Sequence, residues 1–435
     1  MRVGIVGGGL AGISLSRFLR AEVEVLEKED RPGGLCRTFQ KDGFAYDVGG
    51  HILFSAQAEL LERLRGVLGE NVLRRRRYNE ILFQGRTLKY PFENGIGVLD
   101  KQDIYECLIG YLVNPHPEPH NFREWIYHTF GDGFAQKYLV PYNEKIWKTP
   151  LDEMDTRWVA RVPKPPVEDI VKSALGMETE GNLHQLHFFY PATGGIESLI
   201  RGLVDNPATV CTGFQVRRIE KQGDLWAVSD GSVIKHYDRV VLTVPLREAV
   251  SLFPDTPDSL VAAASALTIN SVRLVNVGVD NPSLLARSAV YIPTPSICTH
   301  RVCFMGYFSP HNVPAGRSSL TAEITCRPGH ELHAVSDDAL AERVVGELHE
   351  VGVVNRRDVV SAEVRSFPYG YVVPDARSEA RVQALRDYFG GMGIELHGRF
   401  AEHEYLNMDE VVARSLALAE RFNQGCDEPP SRRSQ

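Results

Sequence analysis

The chain opens with the stretch Met1-Arg-Val-Gly-Ile-Val-Gly-Gly-Gly-Leu-Ala-Gly12, and this stretch decides the fold. An apolar strand breaks into a turn in which Gly7, Gly9 and Gly12 follow the spacing G-x-G-x-x-G. A helical pattern comes next, and a second strand then ends at Glu27. In such a unit the glycines let the backbone approach a pyrophosphate, the helix N-terminus attracts the phosphates, and the carboxylate accepts ribose hydroxyls. We therefore predict an α/β fold with a Rossmann-type dinucleotide-binding domain.

Two further segments narrow the choice of dinucleotide. They are Arg31-Pro-Gly-Gly-Leu-Cys-Arg37 and Phe44-Ala-Tyr-Asp-Val-Gly-Gly-His51. Together with the first turn, they resemble the flavoprotein family that includes amine oxidases, protoporphyrinogen oxidases and UDP-galactopyranose mutases. The resemblance implies FAD, with the flavin-side phosphate and ribose near Gly33, Gly34 and Leu35 and the isoalloxazine ring near Gly50. A plain nicotinamide dehydrogenase lacks these additions, so FAD is favoured over NAD.

Charge and composition exclude several classes of partner. The chain carries a formal net charge of -8, which gives no general attraction to nucleic acid or to an anionic membrane. Its only dense basic run, residues 74–77, is interpreted as the solvated entrance to a strand rather than a polyanion-binding patch. No apolar run approaches the roughly 20 residues that a membrane span needs. We expect a cytoplasmic protein that binds neither nucleic acid nor membrane.

The cysteines indicate free thiols. Seven are scattered along the chain without a C-x-x-C motif, as is usual in a reducing compartment. Cys298 and Cys303 lack a second pair of ligands, so we predict no metal site. The first strand starts at residue 2, and on this ground we expect no signal peptide.

The pattern of strands and helices predicts a discontinuous FAD-binding domain with a helical insertion and a β-sheet substrate domain. The expected boundaries are 1–85, 186–262 and 386–422 for the FAD-binding parts, 86–185 for the helical part, 263–385 for the substrate sheet and 423–435 for a disordered tail.

Segments in the middle and at the end of the chain resemble the UDP-galactopyranose mutase branch in particular. They are residues 89–94, 141–147, 160–163, 190–195, 290–310, 369–374 and 398–409. The resemblance implies an enzyme that interconverts the pyranose and furanose forms of a nucleotide-diphosphate sugar without net redox, through a covalent bond between N5 of the reduced flavin and the sugar. It also implies an external reductant, NADPH or NADH, and leaves a homo-oligomer open.

The same resemblance assigns roles to individual residues. Arg161 and Arg301 would clamp the diphosphate, because guanidinium groups suit a departing anion, and His51 would contact the N5 region of the flavin. Tyr371 and Tyr405 would donate to the phosphates near Tyr291. The sugar would meet Asn143 and Trp147, and the base would stack near Tyr90, Phe92 and Tyr138. On the cofactor side, the assigned residues are Val216, Arg399, Met408 and Asp409.

Some readings stay open. Any single arginine is usually a solvated side chain, and the tyrosines could simply pack in the core. Glu93 stands where eukaryotic relatives have glutamine; an ionised carboxylate cannot donate, which favours cytosine or a guanine N–H edge over uracil unless Glu93 points elsewhere. The rival functions are an FAD-dependent oxidase or desaturase of amines or porphyrinogen-like rings, and a non-catalytic binder of flavin or nucleotide sugar.

Overall fold

The computed structural model describes residues 1–179, 186–327 and 329–427. The side chains of Arg161, Ala208 and residues 425–427 also lie outside the description.

Nineteen strands are described within these ranges. In chain order they are β1 (Arg2–Val6), β2 (Glu22–Leu26), β3 (Thr38–Lys41), β4 (Phe44–Asp47), β5 (Leu73–Arg76), β6 (Asn79–Phe83), β7 (Arg86–Lys89), β8 (His187–Tyr190), β9 (Val210–Cys211), β10 (Arg218–Gln222), β11 (Leu225–Ser229), β12 (Ile234–Tyr237), β13 (Arg239–Leu242), β14 (Ile269–Val279), β15 (Ala289–Tyr291), β16 (Arg301–Cys303), β17 (Ser318–Cys326), β18 (Val359–Val372) and β19 (Glu395–Leu396).

Fourteen α-helices are described in the same ranges. They are α1 (Leu10–Phe18), α2 (Ala58–Leu68), α3 (Lys101–Leu112), α4 (Phe122–Phe134), α5 (Val140–Trp147), α6 (Val167–Ala174), α7 (Glu197–Leu203), α8 (Leu246–Ser251), α9 (Asp258–Ser265), α10 (Met305–Phe308), α11 (Glu331–Ala334), α12 (Asp337–Glu350), α13 (Ser378–Gly391) and α14 (Met408–Asp427).

A parallel sheet of five strands, in the order β19-β13-β1-β2-β9, carries the dinucleotide-binding unit. Ile5 in β1 pairs with Val25 on one side and Val241 on the other, and all three are fully buried. Apolar strands of this kind are typical of parallel sheets that are covered on both faces. The α/β fold with a discontinuous Rossmann-type domain is therefore confirmed: its strands come from the beginning, middle and end of the chain.

A second sheet of seven strands, in the order β18-β14-β17-β16-β15-β6-β7, forms the substrate domain. Its interior strand β17 is buried at all nine positions. The hairpin β6–β7 joins this sheet through parallel pairing of β6 with β15. The first predicted boundary, at residue 85, is therefore wrong, because pairing with β15 takes residues 79–89 into the substrate sheet. We keep the other interior boundaries as proposals.

The helical insertion has an aromatic core. Helix α4 kinks at Gly131 (φ 71°) and continues through a π-helical turn, Ala135–Leu139, into α5. The ring of Tyr138 in that turn is 4% exposed and stacks with Phe92, at 4.8 Å between centroids and 3° between planes, and with Tyr142, at 5.2 Å and 11°. The insertion is thus a closed hydrophobic unit at this point.

The C-terminal helix runs further than the sequence suggests. Helix α14 ends at Asp427, so residues 423–427 are helical in the structure where the sequence predicts the start of a disordered tail, and residues 428–435 lie outside the description. Side-chain bonds explain the extension: Asn423 accepts from the backbone N–H of Arg20 at 2.9 Å and donates to the carbonyl of Phe18 at 3.1 Å. Both bonds anchor this end of α14 to the residues that follow α1.

Three features bear on partners and cofactors. No helix in the described ranges combines the length and apolar character that crossing a bilayer requires. In the same ranges, no group of three or more His, Cys, Asp or Glu side chains is placed to hold a metal ion. The six cysteines whose side chains are described are free thiols.

The burial of Glu93 generates a prediction for stability. Its side chain is 2% exposed, and desolvation raises the pKa of the carboxyl to about 7. Between pH 4.5 and 7 the unfolded chain therefore loses this proton first, so the free energy of unfolding falls as the pH rises. Glu93→Gln lacks this carboxyl, so its free energy of unfolding does not fall in this way. The free energy of unfolding of Glu93→Gln minus that of the wild type should therefore increase by about 3 kcal/mol between pH 4.5 and 8.

Urea denaturation of both proteins across this pH range measures the difference. Glu153→Gln, which alters an exposed carboxylate of the same helical region, is the control. A constant difference between Glu93→Gln and the wild type would show that Glu93 is ionised in the folded protein.

Candidate flavin and substrate site

A groove of about 340 Å³ runs along the carboxyl ends of β1, β2 and β13. Its lining includes many of the residues predicted to hold the cofactor: Gly7, Gly9, Glu27, Gly33, Gly34, Leu35, Val216, Arg399 and Met408. Gly12 packs beneath the groove, where a Cβ would lie 2.1 Å from the carbonyl oxygen of Gly7. The glycine at this position therefore allows α1 to pack against the turn.

The groove fits the phosphate and ribose of a dinucleotide. A Cβ added to Gly9 would meet only the Cα of Gly34, at 4.0 Å, so the space above the N-terminus of α1 is open. The carboxylate of Glu27 is held in place by the backbone N–H groups of Gly8 at 2.7 Å and Glu29 at 2.9 Å. A carboxylate has about four acceptor positions, so these two bonds leave capacity for ribose hydroxyls.

A cavity of about 300 Å³ continues from the end of this groove. The residues shared by the two linings are Leu35, His51, Arg399, Leu406, Asn407 and Met408. Gly50 and Asp409 line the cavity as well. A dinucleotide in the groove would thus reach the floor of the cavity with its flavin end.

The row of residues across the substrate sheet explains how the opposite wall is built. In the register of β15, β16 and β17, Tyr291 lies opposite Arg301, and Arg301 lies opposite Glu323. Directly opposed residues share one face of a sheet. All three residues line the cavity, together with Tyr371 and Tyr405.

Glu323 holds several parts of this wall together. Its carboxylate is 2% exposed and accepts two bonds from Arg301, from Nε at 2.9 Å and from Nη2 at 2.7 Å. It also accepts from the Tyr371 hydroxyl at 3.1 Å and from the backbone N–H of Gly50 at 3.2 Å. Burial alone would raise the pKa of Glu323, but Arg301 and these neighbours reverse the effect and hold it below its ordinary value. Glu323 is therefore an ionised anchor for Arg301 and Tyr371.

The glycines before His51 pack against the same anchor. Gly49 has φ +77°, and a Cβ there would lie 3.0 Å from Glu323 Oε1; at Gly50 it would lie 2.6 Å from Cys303 Sγ. The backbone at Gly49 and Gly50 thus closely approaches the substrate sheet. Desolvation, and then the charge of Arg399, lower the pKa of His51 to about 4, so its imidazole is neutral near pH 7. Within the described residues, its Nδ1 has no hydrogen-bond partner.

The structure brings together His51, Tyr291, Arg301, Tyr371 and Tyr405 at one cavity. Arg161 lies in a short 3-10 helix, Val159–Arg161, and its side chain is outside the described part of the chain.

The predicted base-binding and sugar-binding residues lie apart from that cavity. Phe92, Glu93 and Tyr138 are buried in the helical core, where the aromatic stack encloses them. Tyr90 lines a neighbouring cavity of about 770 Å³ and stacks on Tyr291 at 4.8 Å. Trp147 Nε1 donates a hydrogen bond to Asn143 Oδ1 at 3.2 Å. The Trp147 ring packs edge-on against the rings of Tyr371 and Tyr405.

Three residues of the cavity escaped the sequence interpretation: Arg77, Glu323 and Asn407. Arg77 ends the basic run that was interpreted as solvated, yet it lines both the cavity and its larger neighbour, with its guanidinium 5.2 Å from the ring of Phe54. Glu323 could have been identified from the sequence, because it is a single charged residue within an otherwise uncharged strand. Burying such a charge is costly unless it is paired. Asn407 lies between two residues of a segment that was already singled out.

The open space at Gly9 generates a test of cofactor binding. Gly9→Ala should leave the stability of the apoprotein nearly unchanged, because its Cβ contacts little, but it fills the phosphate path and should weaken FAD binding at least tenfold. Titration of the apoprotein with FAD measures the affinity. Gly66→Ala in α2, where a Cβ also meets nothing within 4 Å, is the control. Equal FAD affinity in both variants would exclude Gly9 from the phosphate site.

Comparisons with known proteins agree with this geometry. Residues 102–391 match the family described as flavin containing amine oxidoreductase, and residues 5–66 match an NAD(P)-binding Rossmann-like domain. An all-trans-retinol 13,14-reductase of Danio rerio is 42% identical over 110 residues, which are 24% of this chain and 17% of that protein. Polyamine oxidase 4 of Oryza sativa subsp. japonica is 22% identical over 376 residues, which are 80% of this chain and 72% of the oxidase.

Among solved structures, that of reduced UDP-galactopyranose mutase has the same fold, with a TM-score of 0.90 and 24% identity over 98% of this chain and 94% of that one. The predicted resemblance to the amine oxidase-like flavoproteins is confirmed. Because the family match covers more than half of the 435 residues, the chain belongs to the flavin containing amine oxidoreductase family.

Proposed function

We propose that this flavoprotein binds FAD and interconverts the pyranose and furanose forms of a nucleotide-diphosphate sugar. One observation supports this most directly: an anchored arginine and three tyrosines face the cavity where the dinucleotide groove ends. A diphosphate leaving a sugar needs fixed donors at the place where its charge develops. The fold shared with a UDP-galactopyranose mutase supports the same assignment.

The charges around the cavity suit an anion. Glu323 compensates the charge of Arg301, so this pair supplies directed N–H groups rather than net charge. Arg77 and Arg399 line the same cavity and add positive charge. We therefore assign orientation of the diphosphate to Arg301, with Arg77 and Arg399 as further guanidinium groups in the same cavity and Arg161 as the further clamp that the sequence proposes.

The tyrosines suit a donor role. Burial, and then the nearby Glu323, hold the pKa of Tyr371 well above its ordinary value, so its hydroxyl keeps its proton. Burial also raises the pKa of Tyr291. When bound, a reduced flavin would supply the nucleophile for the anomeric carbon, and NADPH or NADH is the proposed reductant. A neutral His51 beside it could accept or donate one hydrogen bond without adding charge.

Recognition of the base has a steric condition. The Tyr138 ring is 4% exposed and already stacks with Phe92 and Tyr142, so a base can stack on it only if a neighbouring ring moves away. Tyr90 lines the larger neighbouring cavity and is accessible for stacking there. We therefore favour Tyr90 over Tyr138 and Phe92 as the first contact of the base.

An amine oxidase is the second candidate, and the family match with its similarity to a polyamine oxidase favours it. The cavity argues against it, because an amine substrate is a cation at neutral pH and would face Arg77, Arg301 and Arg399. A porphyrinogen-like substrate would need a larger apolar surface than this cavity offers.

Incubation of dithionite-reduced enzyme with a panel of nucleotide-diphosphate sugars, followed by NMR, tests the proposal. We expect a ring-size isomer of one sugar and no turnover by the oxidised enzyme. Oxygen consumption with an amine, independent of reductant, would identify an oxidase. Flavin binding without any product would indicate a non-catalytic binding protein.

Removal of Arg301 tests the role of the anchored pair. Arg301→Ala should lose at least ~2 kcal/mol of transition-state stabilisation, about 30-fold in kcat/KM, while FAD content stays normal. Glu323→Gln should lower kcat by a similar factor with a smaller change in KM, since it frees Arg301 and Tyr371 from their orientation without removing a cation. Steady-state kinetics with the identified sugar measure both effects.

Arg317→Ala is the matched control. Arg317 lies outside the cavity and forms an exposed ion pair with Asp280, with 3.0 Å between Nε and Oδ1. Wild-type turnover in Arg301→Ala would contradict the proposed clamp.

A further inference from the structure

A series of four polar side chains, three of them buried, lies behind the flavin groove. Ser14 Oγ in α1 lies 2.7 Å from Ser415 Oγ in α14, and Ser415 Oγ lies 2.7 Å from His397 Nε2. His397 Nδ1 in turn lies 3.4 Å from Glu402 Oε1. Both serines are fully buried, and His397 is 2% exposed. Buried polar groups of this kind need a continuous set of partners, and here each group has one.

Glu402, the last member of this series of side chains, fixes the segment that carries Arg399. Glu402 Oε1 accepts from the backbone N–H of Gly398 at 2.7 Å, and its second oxygen is paired with Arg414. Gly398 has φ +96°, and a Cβ there would lie 2.5 Å from the Cβ of Ala11. The segment therefore presses directly on the first turn of α1, where the groove meets the helix N-terminus.

The hydrogen bonds can be polarised in one direction. Burial opposes the charge of Glu402, yet His397, the N–H of Gly398 and Arg414 hold its pKa below the ordinary value. An ionised Glu402 can accept from the N–H at Nδ1 of His397, which leaves Nε2 to accept from Ser415 and lets Ser415 accept from Ser14. In this arrangement the two hydroxyl protons point along the series rather than to the helix carbonyls of Leu10 and Val411, which lie 2.6 Å and 3.0 Å from Ser14 Oγ and Ser415 Oγ. Such a series strengthens each of its members in a low-dielectric interior.

We infer that His397 is a positioning residue for the flavin, holding the phosphate-side helix α1, the ring-side helix α14 and the Arg399 segment in one arrangement. Each of these three elements contributes to the groove: Ala11 from α1, Met408 and Val411 from α14, and Arg399 itself. The guanidinium of Arg399 lies 4.5 Å from the ring of Tyr405, so its position also affects the cavity wall. This inference depends on FAD binding but not on the proposed sugar chemistry.

The affinity and the reduction potential of the bound flavin test this role in the full-length protein. His397→Phe, which keeps a ring but removes both nitrogens, should weaken FAD binding at least tenfold, and His397→Gln should retain more affinity. We also expect unequal losses for oxidised and reduced flavin, and a tenfold inequality appears as a shift of ~30 mV for a two-electron couple. FAD titration and dithionite titration measure the two quantities.

A pair of serines on the same helix provides the matched control. Ser14 belongs to the series, whereas the Ser16 hydroxyl, among the residues that the structure describes, bonds only the carbonyl of Ile13, at 2.9 Å. Ser14→Ala should weaken FAD binding and shift the potential in the same direction as His397→Phe, and Ser16→Ala should do neither. If circular dichroism shows that His397→Phe does not fold, Ser14→Ala and Ser16→Ala still test whether the series positions the flavin.

Wild-type affinity and potential in His397→Phe and Ser14→Ala would overturn the inference, as would equal losses in Ser14→Ala and Ser16→Ala. If the flavin effects appear as expected but no nucleotide sugar is isomerised by the wild type, the proposed function fails and the role of His397 stands.

Discussion

The buried ion pair between Arg301 and Glu323 is the interaction on which the rest of the cavity depends. Removing two charges from water is costly, and the attraction between them offsets this cost only when the geometry is good and the remaining lone pairs are bonded. Here the pair is bidentate, and Tyr371 and the N–H of Gly50 use further lone pairs of the carboxylate. One carboxylate therefore connects the substrate sheet to the loop beside the flavin groove.

This pair also changes how the cavity should be understood electrostatically. A guanidinium that is already compensated offers direction rather than net attraction. Two further guanidinium groups, those of Arg77 and Arg399, line the same cavity from other parts of the chain. An anion in the cavity would thus meet donors whose directions the Glu323 anchor fixes.

The residues that the sequence predicts for the dinucleotide lie together in the structure, because their signals are local. The glycine spacing, the strand that ends at Glu27 and the second glycine turn each lie within a few residues, and they line one groove. The other half depends on long-range register. Nothing near Glu323 in the chain indicates that Arg301 lies opposite it, and nothing near Phe92 indicates that Tyr138 will cover its ring. Arg77 was missed because a basic run looks solvated until the sheet that follows it is known.

The parallel sheet of the cofactor unit has a consequence for how the protein is made. Its edge strand β19 lies beside β13 but follows the strands β14 to β18 in the chain, and α14 comes later still. Pairings between residues so distant in the chain are slow to form, because the entropy of closing the long loop is lost before the stabilising contacts are made. The flavin groove is therefore complete only after β19 and α14 have been synthesised and have packed against the rest of the sheet. Until β19 pairs with it, β13 is an open sheet edge, which is a template for aggregation.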